Sequence, residues 1–188
     1  MPEFRCVDVT DEEMLKKVFA FRYKVLLDIF PEYIKAGNFK DELEYDKYDA
    51  YSLHFVALDK QDNICGNIRL VYNSPIGYPT ENHANFDKSQ FQRDKLGELS
   101  KIFIDAKCRN MKTSKAIINS FKEPVYKKLK EFGIEYTYGS LEENFLRLLK
   151  IYGLDYHPVG SLQKVELFGE RYPCILYTKE LGEHLGKV

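Results

Sequence analysis

The chain has 188 residues, 44% of them hydrophobic and 30% charged, with a formal net charge of −1. That length and balance suit a globular protein with a sizeable core. A charge so near zero supplies no field to hold nucleic acid or an anionic membrane.

No apolar run approaches the roughly 20 residues of a bilayer span, and Met1-Pro2-Glu3-Phe4-Arg5 lacks the apolar stretch of a secretory leader. The four cysteines, Cys6, Cys65, Cys108 and Cys174, are scattered without a Cys-x-x-Cys pair. They read as buried thiols in a reducing cytoplasm, not as a metal site or a disulfide framework. Local charge is uneven. Lys101 to Phe132 holds nine Lys/Arg against three Asp/Glu, while Asp41 to Asp49 holds five acids against one lysine. The basic stretch is either a solvated helix face or a surface for an acidic partner or a phosphate.

Phe4–Val9 reads as a strand. Thr10-Asp11-Glu12-Glu13 fits a capping box with Thr10 as the cap, and Met14, Leu15, Val18, Phe19, Val25, Leu26 and Ile29 recur at helical spacing to about Phe30. Pro31 marks an end or break, and Glu32–Asp49 is polar, part helix and part loop. Tyr51–Asp59 and Ile64–Tyr72 form a hairpin around the turn residues Lys60–Asn63. Asn73–Gly97, with Pro75, Gly77 and Pro79, is a long connection of the kind that covers sites. Leu99–Ile104 is a third strand. A helix capped by Thr113 or Ser114 is expected to kink or restart at Pro124 and to stop at Gly133. Ile134–Gly139 is a strand, Leu141–Tyr152 a helix ended by Gly153, and Leu154–Pro158, Lys164–Phe168 and Pro173–Thr178 are strands. A hairpin-rich first half joined to a βαβ second half predicts an α/β (α+β) fold, a mixed sheet with helices on both faces. Without repeats or linkers, residues 1–188 read as one domain.

Charges inside this pattern point to chemistry. Arg69 sits in the apolar run Cys65-Gly66-Asn67-Ile68-Arg69-Leu70, where a charge needs a partner. Acids cluster upstream in Glu44-Tyr45-Asp46-Lys47-Tyr48-Asp49, and Gly97-Glu98-Leu99-Ser100-Lys101 opens the third strand. Strict alternation puts Glu98 and Ser100 on one face and Lys101 on the other; a bulge would bring them together. The histidines carry little signal. His54 reads as a sheet residue, and His83, His157 and His184 show neither metal-ligand spacing nor a Ser-His-Asp set.

The order E-x-D-x-Y-D, G-x-x-R-L, E-x-S-[basic] resembles the GNAT acyltransferases, in the branch of acyl-homoserine-lactone synthases and N-acyl amino acid synthases. The resemblance implies a mostly antiparallel GNAT-like sheet. It also implies a charge network of Arg22, Glu44, Asp46, Asp49, Arg69, Ser100 and Lys101 around an acceptor site, with Glu98 as base and Tyr152 as proton donor to a leaving thiolate. Lys101 stands where the family carries Arg and cannot make the same bidentate fork, and the chain has no Trp. Both departures point away from homoserine-lactone synthesis. In place of the family's glycine-containing pyrophosphate loop stands Arg109-Asn110-Met111-Lys112-Thr113-Ser114, so Arg109, Lys112, Thr113, Ser114 and Lys115 are the expected donor-binding residues. The implied activity is N-acyl transfer from acyl-coenzyme A, or from acyl-phosphopantetheine on an acyl carrier protein, to a small amino-acid-like amine. No metal, nucleic acid or membrane span is expected, and the location is cytoplasmic. The lysines Lys107, Lys112 and Lys115, and the basic helix beyond them, favour the acidic carrier protein. The alternatives are an autoinducer synthase using S-adenosylmethionine and a non-catalytic ligand-sensing module.

Overall fold

A computed structural model describes residues 3–187. Strand β1 (Arg5–Asp8) leads into helix α1 (Glu12–Ile29). The cap is Asp11, not Thr10: its carboxylate accepts from the Met14 amide at 2.8 Å, and a carboxylate at a helix N-terminus also meets the positive end of the dipole. Pro31 starts the next helix, α2 (Pro31–Gly37), because its fixed φ and missing N–H suit a first helical position. Irregular chain then leads to the hairpin β2 (Ser52–Leu58) and β3 (Ile64–Tyr72).

The long connection is more structured than its composition suggests. It contains helix α3 (Pro79–His83), and strand β4 (Leu96–Ile104) begins three residues earlier than predicted. Glu98 is therefore inside a strand, not at its end. Helix α4 (Met111–Glu131) is capped by Asn110, whose carboxamide oxygen accepts from the Thr113 amide at 3.0 Å. Neither Thr113 nor Ser114 is the cap. The helix runs through Pro124 without a restart. β5 is Tyr136–Leu141, so Leu141 belongs to a strand, and α5 is Glu143–Ile151. The last strands are β6 (His157–Pro158), β7 (Gln163–Val165) and β8 (Gly169–Tyr177). The stretch carrying His184, for which no element is predicted, is helix α6 (Thr178–His184).

The sheet order is β1-β2-β3-β4-β5-β8-β6, with β7 added beside β8. Every pairing is antiparallel except β4–β5. That parallel ladder holds only from Leu96–Tyr136 to Glu98–Tyr138; beyond it the two strands part. On one face Ile117, Ile118, Phe121, Val125 and Leu129 of α4 pack with Phe55, Ile68, Leu70 and Leu99. On the other, Val18 of α1 packs on Val56 and Leu58, and the long connection buries Tyr78 and Phe91 against Val71, Tyr138 and Ile175. The mixed α/β sheet with helices on both faces is as predicted. No helix among the described residues is long and apolar enough to cross a membrane, and all four cysteines are free thiols.

Gly66 sets how closely α4 approaches. A β-carbon there would meet Ile117 Cγ2 at 2.7 Å and the Phe103 carbonyl at 3.1 Å. Gly66→Ala should destabilise the protein by about 1–3 kcal/mol, as overpacking does. Urea melts of parent and variant check this; an unchanged midpoint would mean that α4 is not seated as described.

Candidate functional site

Arg22 lies one turn after Val18 on the stripe of α1 that faces the sheet, and it is fully buried. Its Nε donates to Glu44 Oε2 at 2.6 Å, and its Nη1 and Nη2 donate to the two oxygens of Asp49 at 2.7 and 3.2 Å. The acids reach it because residues 38–51 fold back over α1. Asn38, Asp41 and Glu42 take left-handed φ angles there, and the Glu44 amide donates to the Phe19 carbonyl. From β3, Arg69 Nη1 donates to Asp46 Oδ1 at 2.7 Å and Asp49 Oδ1 at 2.9 Å, while its Nε donates to Ser100 Oγ at 3.0 Å. Lys101 Nζ and the Tyr33 hydroxyl donate to Glu44 Oε1 at 2.6 and 2.8 Å. Three cations and three carboxylates, with Ser100, thus form one network, and it contains all seven residues of the network that the resemblance implied.

Such a network is stable only when each charge removed from water gains several partners. Burial opposes ionisation of Glu44, yet Lys101 and Arg22 overcome it and pull its pKa down to about 2. Burial likewise opposes ionisation of Asp49, and Arg22 and Arg69 hold it well below the carboxylate range. Burial pushes His54 down to about 4, against the pull of Asp49 at 3.5 Å, so its imidazole is neutral. It is a sheet residue, as its alternation implied.

Lys101 joins the network through a bulge in β4. The register pairs Asn67 with Phe103 but Arg69 with Ser100, so β4 carries one extra residue across that interval. Lys101 has φ +53°, rare for a residue with a β-carbon and sustained here by its ion pair with Glu44. The bulge reverses the alternation and turns Lys101 to the side of Glu98 and Ser100.

Glu98 lies beside the bulge, at the last paired residue before β4 and β5 separate. It is 1% exposed. Its two oxygens accept from the Thr80 amide at 2.9 Å and the Thr80 hydroxyl at 3.0 Å. Burial raises its pKa to about 7, while the Thr80 bonds and Arg69 only partly offset that rise. A carboxyl in this state exchanges protons near neutrality.

Two cavities meet here. The first, about 260 Å³, is lined by the charged and polar residues Asp46, Arg69, Glu98, Ser100, Lys101 and Arg171 and by the aromatic residues Phe30, Tyr33 and Phe168. The second, about 580 Å³, is mostly apolar and runs past Val25, Ile29 and Leu148 to Met111 and Tyr152. Phe30, Ile102, Phe103, Phe145 and Arg171 line both.

Tyr152 belongs to the second cavity and not to the one that holds Glu98. Its hydroxyl donates to the Met111 carbonyl at 3.3 Å, and burial raises its pKa. Of the expected donor-binding residues, Arg109 pairs with Asp28 and donates to the Ile104 carbonyl at 2.9 Å. The Thr113 amide is taken by Asn110, and the Ser114 hydroxyl donates to the Cys108 carbonyl at 3.1 Å. Lys112 and Lys115 are exposed. Among the described residues neither they nor Lys107 has a carboxylate within ion-pair distance.

Three residues of the site escaped the sequence reading. Tyr33 gave no signal. Thr80 follows Pro79 in a helix-start pattern, Tyr78-Pro79-Thr80-Glu81, that was read as loop. Arg171 lies in β8 ahead of the predicted strand start at Pro173, so its charge seemed to be outside the sheet.

A parallel pair that parts and a bulged central strand, with a buried carboxyl where they meet, suit an acyltransferase fold. Residues 21–119 match the acetyltransferase (GNAT) domain family, and the chain belongs to it. It is an N-acyltransferase. No curated protein matches the chain. Among solved structures it is similar to the acyl-homoserine lactone synthase BjaI with MTA, described as coenzyme A-dependent (TM-score 0.70, 17% identity, 97% of this chain and 90% of that one). It is also similar to TofI in a ternary complex with an inhibitor and MTA (0.68, 14%, 94% and 96%). A third is FeeM, an N-acyl amino acid synthase from uncultured soil microbes (0.67, 14%, 97% and 95%). At such identities the likeness is one of fold.

Proposed function

We propose that this chain, as a single domain acting in the cytoplasm, transfers an acyl group from a phosphopantetheine thioester to the amine of a small amino-acid-like acceptor. The observation that carries the reading is Glu98, a carboxyl raised to about 7 in the wall of the smaller cavity at the parting of β4 and β5. The acceptor occupies that cavity, where the charged residues gather, and the thioester arm the larger one. The amine nitrogen attacks the thioester carbonyl carbon, the C–N bond forms and the C–S bond breaks. Glu98 takes the amine proton, an amide of the bulged Lys101–Ile102 stretch polarises the carbonyl, and Tyr152, kept protonated by its raised pKa, supplies a proton to the thiolate. Arg22, Glu44, Asp46, Asp49, Arg69, Ser100 and Lys101 hold the acceptor wall rigid. The Thr80 bonds do not disqualify Glu98, because each carboxylate oxygen keeps a second lone pair.

Acyl carrier protein fits the donor side better than coenzyme A. Arg109 and the Thr113 and Ser114 amides are occupied by the protein's own groups, which leaves only the Met111 and Lys112 amides at the start of α4 for a pyrophosphate. The unpaired Lys107, Lys112 and Lys115 offer point charges to an acidic partner. The reaction is tested by incubating the protein with acyl-coenzyme A and acyl-carrier-protein donors, amino acids and S-adenosylmethionine, with mass spectrometry of the products. An N-acyl amino acid is expected. An N-acyl homoserine lactone would put the autoinducer synthesis in its place, and no transfer to any amine would favour a sensing module. For the donor, Lys112→Glu/Lys115→Glu should weaken carrier-protein binding about tenfold at low salt. The difference should vanish near 1 M salt, where the Debye length is about 3 Å. Tight, salt-insensitive binding of coenzyme A with none of the carrier protein would reverse the assignment.

A further inference from the structure

We infer that Arg171 is the carboxylate receptor of the acceptor cavity, so that the preferred acceptor is a free acid and not an amide, ester or lactone. This rests on the acceptor cavity proposed above. Arg171 stands on β8 and reaches over the end of β5. Its Nε donates to the Phe168 carbonyl at 3.3 Å and its Nη1 to the Ser140 carbonyl at 3.2 Å. Its guanidinium carbon lies 5.6 Å from the Phe30 ring centre and 5.7 Å from that of Phe168. The two rings, 5.2 Å apart and packed edge to face, lie beside the guanidinium without using its donors. Two carbonyls account for two of the five N–H groups of a guanidinium, so three have no protein acceptor among the described residues.

The other cations of this cavity are spent. Arg69 and Lys101 face it, but their charges go to Asp46, Asp49 and Glu44. No carboxylate among the described residues lies within ion-pair distance of Arg171. Burial disfavours its charge, and Glu142 offsets this only through space. His83, at the rim, feels the same unneutralised charge: burial and then Arg171 lower its pKa. A half-buried guanidinium is a costly thing to leave unpaired, and a carboxylate is the planar partner its fork matches. The same cavity is also lined by Asp46 and Glu98. An amino acid held in it can set its amine against a carboxylate and its acid group on Arg171. The phosphate of the donor arm is a poorer match. Arg171 lies where the two cavities join, whereas the basic residues at the solvent end are those at the start of α4.

The experiment measures binding without donor, by titration calorimetry, of the common L-amino acids and S-adenosylmethionine, each beside its carboxamide. Parent, Arg171→Gln and Arg171→Lys are compared, after thermal melts confirm that each variant is folded. In the parent, at least one acid should bind about 10- to 100-fold better than its amide, as loss of a charged hydrogen bond implies. The ratio should fall to about one in Arg171→Gln and recover in part in Arg171→Lys. Transfer assays on the same pairs should show the preference in KM. A ratio unchanged in Arg171→Gln overturns the assignment. So does an equal fall in kcat for acid and amide, which would make Arg171 a stabiliser of the thioester oxyanion. Absence of any acid preference in the parent overturns it as well. Acid-selective binding without transfer would keep the receptor and discard the transfer reaction; transfer to amides as readily as to acids would do the reverse.

Discussion

Replacing Glu98 by glutamine should lower acyl transfer by about 10²–10⁴-fold, the usual contribution of a positioned base, while making the fold more stable above neutral pH. The two effects separate because of where the carboxyl sits. Glutamine keeps the shape, can accept from the Thr80 amide, and can donate to the Thr80 hydroxyl, so both bonds of the parent survive. The native carboxyl titrates near 7 against about 4.5 in the unfolded chain. Between these values the native state holds a proton that the unfolded state has lost. Stability therefore falls as pH rises through that window, and it stays lower above it. The shift corresponds to about 3 kcal/mol, which the variant does not lose. Urea melts at pH 4, 6 and 8 together with turnover against pH test both halves. Parent activity should rise through about pH 7. Full turnover in the variant would make Glu98 the cap of α3 and nothing more. A parent whose stability does not decline between pH 4.5 and 7 would show that the carboxyl is not desolvated.

Arg22→Met should be the most destabilising single change in the network, at about 3–5 kcal/mol. It leaves buried carboxylates short of a partner without opening a large void. Arg22 and Glu44 are both fully buried, and Asp49 loses its bidentate contact. The acid response should change too. Glu44 has its pKa held at about 2 against about 4.5 unfolded, so its contribution is complete above about 4.5 and is lost as pH falls through about 2. Without Arg22 that loss should move to higher pH, and the variant should unfold in acid where the parent does not. Denaturant melts from pH 3 to 7 check this. A midpoint equivalent to less than about 0.5 kcal/mol from the parent would put Arg22 among the inconsequential surface charges.

Much of the site was legible because charges in apolar surroundings are conspicuous. Arg69 announced that it needed acids, and Glu44, Asp46 and Asp49 were the nearest dense supply. Helix caps were less legible, since Thr10, Asp11, Thr113 and Asn110 compete on nearly equal terms. Local geometry decides which side chain reaches the free amide. Thr80 and α3 were missed because a five-residue helix leaves almost no periodicity to read. Arg171 was missed because Gly169–Tyr172 carries too few apolar residues to look like a strand before β5 and β7 pair with it.

The sequence by itself determined the order of the longer helices and strands and the mixed sheet, which depend on spacing, and the need of Arg69 for acids, which follows from the cost of burying charge; the rest of the charge network followed from the family resemblance. Only the tertiary structure decided that β4 bulges at Lys101, that β4 and β5 part after Glu98, and that Arg171 lines the first cavity with no carboxylate partner among the described residues. Those outcomes are set by register between strands distant in the chain, by the folding of residues 38–51 over α1, and by the dielectric each carboxyl finally meets. None of these is a property of a residue and its near neighbours along the chain. The pKa of Glu98 illustrates the division: a glutamate could be found in the sequence, but only the packing of α3 and the long connection over it removes the water that would have kept it an ordinary acid.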